Sequence, residues 1–149
     1  MELEKQISQG IMDAMKAKDD VRRDTLRNVK KYIIEAKTAG TAIDVLPDAD
    51  VLKIIQKLAK QGQESAVIFR QQGRTDLHDY EMAQVAVLQQ YLPARMSDAE
   101  LTTAVRDIID SLGAGSMQDL GRVMGVASKQ LAGQTDGKDI AAKVKELLG

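Results

Sequence analysis

Apolar residues recur at intervals of three and four along most of this chain, the spacing of one helix face rather than of a strand. Leu3, Ile7, Ile11, Ala14 and Met15 mark a first amphipathic helix over residues 2–18. Asp20 is a suitable N-cap for a second helix, residues 21–39, whose apolar face is Leu26, Val29, Ile33 and Ala36 and whose stop is Gly40. Residues 41–47 form a loop. Asp48 is placed to cap a long third helix, with Asp50 in its first turn and Val51, Ile54, Ile55, Leu58, Gly62, Ser65 and Phe69 down one face. Gln71-Gln72-Gly73 ends it, and a fourth helix runs from Thr75 or Asp76 to about residue 92. Tyr91-Leu92-Pro93 then breaks the pattern, because the residue before a proline is pushed out of helical geometry.

A second module follows. Ser97 and Glu100 have capping-box spacing, and Leu101, Val105, Ile108, Ile109 and Leu112 line the helix they open. Gly113-Ala-Gly115 is a turn. Ser116 caps a second short helix lined by Leu120, Val123, Met124, Ala127 and Leu131, and Gly133 ends it. Asp136 caps a third, which buries Ile140, Val144, Leu147 and Leu148. The expectation is an all-α protein with an N-terminal domain of about four helices, residues 1–93, and a three-helix domain, residues 94–149.

Composition supports helices over sheet. Among 149 residues, 44% are hydrophobic, but aromatics are 3% and there are 2 prolines and no tryptophan, so Leu, Ile, Val, Ala and Met build the core. The absence of cysteine removes disulfides and thiolate chemistry. Met1-Glu-Leu-Glu-Lys-Gln is not signal-peptide-like, and no apolar run approaches a membrane span, so a cytoplasmic protein without membrane contact is expected. The net charge of −1 offers no global attraction to a polyanion. Residues 1–93 carry 14 basic and 14 acidic side chains and residues 94–149 carry 7 and 8, so an anionic partner needs a local patch.

Two such patches are visible. Arg23, Arg27, Lys30 and Lys37 share one stripe of the second helix, and Lys53, Lys57 and Lys60 share one of the third before Glu64 interrupts it. Each stripe reads either as a solvated flank whose stems cover the core or as a phosphate-contacting row. Gly121 and Gly125 sit on one helical face at a cost of up to about 1 kcal/mol each against alanine. They allow either tight packing against a neighbouring helix or a smooth face for a partner, flanked by Arg122 and Lys129. No catalytic set is found. His78 is the one histidine, HExxH and the phosphate-binding and nucleophile motifs are absent, and the carboxylates are scattered at helix starts. Neither a metal nor a cofactor is expected.

Together these residues resemble the GatB/YqeY family. Gly121-Arg-Val-Met-Gly125, Leu131-Ala-Gly133, Asp136-Gly137-Lys138 and Val144-Lys145-x-x-Leu148 are similar to its tail-domain signature. Ala14-Met15-Lys16, Leu26-Arg27, Gly73-Arg74-x-Asp76-Leu77, Glu81 and Tyr91-Leu92-Pro93 are similar, in order, to the stand-alone YqeY-type proteins. The resemblance implies an all-helical protein in two parts. In the amidotransferase B subunit the corresponding region is a tail that engages tRNA, appended to a body that converts tRNA-bound Glu or Asp to Gln or Asn with glutamine as nitrogen donor. This chain is too short to hold that body.

The resemblance therefore implies a non-catalytic tRNA-binding or tRNA-amidotransferase-related accessory protein. Its partners would be tRNA or a tRNA-modifying or tRNA-charging enzyme. The candidate contacts are Arg23, Arg27 and Lys30, then Lys53, Lys57 and Lys60, then Gly121, Arg122, Gly125, Lys129 and Lys138. The alternatives are an auxiliary subunit supporting carbon–nitrogen ligase activity within a complex, and a protein–protein adaptor without RNA.

Overall fold

The computed structural model describes residues 2–149, and Met1 lies outside the described residues. Helices account for the regular structure among them: α1 (Leu3–Ala17), α2 (Asp20–Thr38), α3 (Asp48–Gln71), α4 (Thr75–Gln89), α5 (Asp98–Leu112), α6 (Leu120–Gln130) and α7 (Gly137–Leu148), with a 3₁₀ turn at Met117–Asp119. The fold is all-α, and no described helix is long and apolar enough to cross a membrane. The chain divides into two compact units between Leu92 and Pro93.

In the first unit, α1 packs along α2 and α3 along α4, and the two hairpins meet through α2 with α4 and α1 with α3. Leu3, Ile7, Leu26, Val29, Ile33, Val51, Ile55 and Leu88 form the core. Met15, expected on the buried face of α1, is exposed instead, with its sulfur 3.7 Å from the Arg27 guanidinium. Ala36 is likewise exposed. Gly10 is what brings α1 close to its neighbours. A Cβ there would lie 2.6 Å from the Tyr91 hydroxyl and 2.7 Å from Leu26 Cδ1. The same tyrosine receives a hydrogen bond from Arg22 (3.1 Å) and lies under its guanidinium, 5.7 Å from ring centre to Cζ. Tyr91 thereby ties the chain after α4 to α1 and α2.

Several helix ends differ from the expected ones. Asp19, not Asp20, caps α2, accepting from the Arg22 N–H at 3.1 Å, which frees Asp20 to pair with Arg23. Gly40 is not a left-handed stop. The helix closes through a right-handed Ala39, and the Ile43 N–H then bonds back to the Lys37 carbonyl. Asp48 does not cap α3, whose N-cap is Pro47. Its carboxylate accepts from the Leu3 N–H at 2.9 Å and so satisfies an orphan donor of α1. Neither Thr75 nor Asp76 is the N-cap of α4, which is Arg74 without a side-chain bond. That helix ends at Gln89, and Gln90, Tyr91 and Leu92 each bond three residues back, a tightened last turn before Pro93.

Lys18 is the one non-glycine residue with positive φ (55°) among the described residues, and it ends α1 in the left-handed conformation usually given to glycine. Lys18→Gly is expected to stabilise the unit by about 0.5–1 kcal/mol, a gain readable in urea unfolding.

The second unit packs α5, α6 and α7 around Leu101, Val105, Ile108, Val123, Ala127 and Val144. Ser97 and Glu100 form the capping box, and Gly113 (φ 64°) and Gly133 (φ 79°) supply left-handed turns. Ser116 caps the 3₁₀ turn rather than α6, which begins at Leu120 with Asp119 at its N-cap. Asp136 is the N-cap residue of α7 in position, with no side-chain cap bond; its carboxylate lies 3.9 Å from Arg95.

Candidate nucleic-acid interface

The basic residues fall into two groups once the chain is folded. Some are neutralised by near neighbours. Arg23 bonds Asp24 (2.9 Å) and Asp20 (3.1 Å), and its hydrogen bond holds the Asp24 carboxyl below the usual range. Lys37 is drawn onto Glu4 of α1 at 2.6 Å, and the other Glu4 oxygen accepts from the Leu46 N–H at 3.1 Å. Arg122 bonds Asp119 at 3.1 Å, and Asp119 also accepts from the Gly115 N–H at 3.0 Å, the main reason its carboxyl is held low.

The other group has no ion pair among the described residues. It comprises Arg27 and Lys30 on α2, Lys53, Lys57 and Lys60 on α3, and Lys129 and Lys138 in the second unit, all exposed. The two stripes of the first unit are not brought to one face. Arg27 reaches Met15, and Lys30 acts on Glu4, so the α2 stripe lies toward α1. Lys57 instead lines a recess between α2 and α3. Of the two stripes, the α3 row is the one that keeps all three of its charges unpaired.

The Glu4 cluster is a structural device that periodicity does not reveal. Burial alone would raise the Glu4 pKa, but the Lys37 and Leu46 hydrogen bonds and the Lys37 and Lys30 charges outweigh it, and the carboxyl is held below its ordinary 4.5. A depressed carboxyl stabilises the fold above its unfolded pKa, and that contribution is lost as pH falls through the folded value. Stability should therefore drop on acidification below about pH 4.5 more steeply in the wild type than in Glu4→Gln, as measured by urea midpoints across that window.

In the second unit, Gly121 and Gly125 are exposed, and an added Cβ at either meets nothing within 4 Å. Tight packing against a neighbouring helix is thus excluded within this unit. With Arg122 and Lys129 they occupy an arc of roughly 100° on the outer side of α6. Since both glycines are helical, Gly121→Ala and Gly125→Ala are each expected to stabilise the protein, by up to about 1 kcal/mol, in thermal unfolding. Lys138 is exposed in the first turn of α7.

Lys143 is the residue that sequence reasoning missed most completely. It is only 7% exposed, its stem lying in the unit's interior, and its ammonium bonds Asp98 (3.0 Å) and Glu146 (3.2 Å), ties that raise its pKa. It joins the start of α5 to α7. His78 Nδ1 lies 2.9 Å from the Asp79 carboxylate on α4.

The family described as Yqey-like protein matches residues 4–148, both compact units together. The chain belongs to the Yqey-like family. The chain is similar to a Pyrenophora tritici-repentis protein named "Altered inheritance of mitochondria protein 41, mitochondrial", 29% identical over 143 residues, which span 93% of this chain and 77% of the relative. A Schizosaccharomyces pombe protein described as uncharacterized is 29% identical over 93 residues, 62% of this chain and 73% of its own. All the candidate contacts of this Yqey-like protein, from Arg23 to Lys138, lie inside the family match.

Proposed function

We propose that this Yqey-like protein is a non-catalytic tRNA-binding accessory protein of the tRNA-amidotransferase type, acting in the cytoplasm. The observation that carries the reading is the row Lys53, Lys57 and Lys60. In a chain of net charge −1, these lysines stay exposed along about two turns of one helix, without ion pairs among the described residues, while Arg23, Lys37 and Arg122 are neutralised locally. A row of ammonium groups at helical spacing suits successive phosphates, and the attraction is local, so it should be strongly salt-dependent. The open α6 face supplies a second contact in this reading, through Lys129 and through Arg122 once it leaves Asp119.

Labelled tRNA titrated at about 50 and 200 mM salt tests it: binding at the lower concentration that fades at the higher supports the reading, and no binding at the lower sinks it. If Arg122→Glu/Lys138→Glu binds as well as wild type, neither Arg122 of α6 nor Lys138 of α7 is part of the contact. The compartment is checked separately by fractionation, since the Pyrenophora relative is named mitochondrial.

A protein–protein adaptor is the second reading, favoured by Val67 and Ile68, adjacent on α3 and 56% and 52% exposed. It predicts partner capture that survives high salt and is lost in Val67→Asp/Ile68→Asp.

A further inference from the structure

α2 and α3 belong to different hairpins, and the seam between them is incompletely filled. Small residues, Ala36 on α2 and Ala39 just past its end, face Ile54 and Leu58 on α3 across a recess of about 320 Å³. That volume is at the small end for ligand sites, suited to one flat ring system rather than to a helix. Tyr32 forms part of its wall and is 38% exposed. The Lys31 ammonium stands 5.5 Å from the centre of that ring, so one face is free of core packing and already attracts a cation.

Two charged residues of opposite sign line the recess, Glu35 and Lys57, and the excess of positive charge lies beside it rather than in it. Lys57 lines the recess, Lys53 and Lys60 follow it along α3, and Lys31 stands on the α2 side, all without ion pairs among the described residues. Gln61 closes one end, offering a carboxamide that both donates and accepts. Beyond Gln61 a second recess contains Asp24 and Glu81, an end unsuited to phosphate.

We infer that the α2–α3 recess takes an unpaired nucleobase of single-stranded RNA, stacked on Tyr32, with its flanking phosphates on Lys31, Lys57 and Lys53. The inference rests on the RNA reading above and deepens it: the α3 lysines hold a strand because an aromatic platform lies beside them. An exposed aromatic beside a row of lysines is an arrangement that binds single strands with little sequence preference. Arrival of the base displaces the Lys31 ammonium from the ring and turns it to the backbone. The carboxylates past Gln61 direct the strand out along the α3 lysines.

Fluorescence anisotropy decides this with the full chain and three labelled probes: a single-stranded RNA of about ten nucleotides, the same sequence as duplex, and tRNA. The single strand should bind more tightly than the duplex. Tyr32→Ala should weaken single-strand binding about tenfold and Tyr32→Phe, which keeps the ring, should not. Lys57→Gln should lower the slope of log affinity against log salt by about 0.7. Circular dichroism of each variant separates loss of fold from loss of contact. If tRNA binds but Tyr32→Ala leaves every RNA affinity unchanged, the recess belongs to a protein ligand instead, and the inference falls while the RNA reading stands. If Tyr32→Ala weakens duplex and single strand equally, base stacking is overturned. Absence of tRNA binding at low salt overturns both.

Discussion

Replacing Leu26 with alanine is expected to remove about 3–4 kcal/mol from the stability of the first unit, a large share of what a domain of this size possesses. Leu26 is fully buried in the α1–α2–α3–α4 core, and its Cδ1 is one of the atoms nearest Gly10. The cost sits in the upper part of the range for such truncations because the site cannot collapse. Gly10 already lets α1 approach as closely as a helix backbone allows, so the space left by the isobutyl group stays largely empty. A loss of this size corresponds to a fall of roughly 15–25 °C in melting temperature for a unit of about 90 residues.

The chain offers a clean way to measure it. All three tyrosines, Tyr32, Tyr80 and Tyr91, lie before Pro93, and there is no tryptophan, so near-ultraviolet aromatic signals report the first unit while far-ultraviolet dichroism reports both. The Leu26→Ala midpoint should shift in the tyrosine signal, leaving the far-ultraviolet change of the second unit in place. A loss below about 1 kcal/mol would mean that Leu26 is not the tightly packed centre described above.

The second large effect concerns binding. Lys53→Glu/Lys57→Glu/Lys60→Glu takes the net charge from −1 to −7 and turns the row from attractive to repulsive. On the proposed reading it should abolish detectable tRNA binding at low salt. The triple Gln variant should keep weak binding, with a salt slope reduced by about 2–3. All three side chains are exposed and unpaired, so stability should change by no more than about 0.5 kcal/mol per site. Lys5→Glu/Lys16→Glu/Arg106→Glu gives the same net charge with the reversals spread over α1 and α5. If this control loses binding to the same extent, net charge rather than the α3 row governs association.

Comparing the two lysine-bearing helices shows where sequence pattern stops being informative. On α2, Arg23, Arg27, Lys30 and Lys37 have the helical spacing of a phosphate-binding stripe, yet Arg23 and Lys37 are held by carboxylates and the remainder faces α1. On α3 the same kind of spacing leaves Lys53, Lys57 and Lys60 exposed and without an ion pair among the described residues. Arg23's partners, Asp20 and Asp24, are visible within one turn. Lys37's partner Glu4 is 33 residues away, and no local rule points to it. Likewise Gly121 and Gly125 read equally well as packing glycines or open ones until the neighbouring space is known.

What the sequence by itself determined is local in origin. The helices and most of their buried faces follow from apolar residues three and four apart, and the Ser97–Glu100 capping box and the left-handed Gly73, Gly113 and Gly133 follow from chemistry within one turn. The family, too, was legible, because its short motifs occur in order along the chain. Tertiary structure alone decided that Asp48 caps α1 across 45 residues, that Tyr91 sits over Gly10 and under Arg22, that Lys143 is buried between two carboxylates, and that Tyr32 faces an unfilled seam beside Lys57. These depend on how whole helices cross. A side chain's neighbours across such a crossing are set by the packing of two hairpins, and intervals along a single helix carry no record of it.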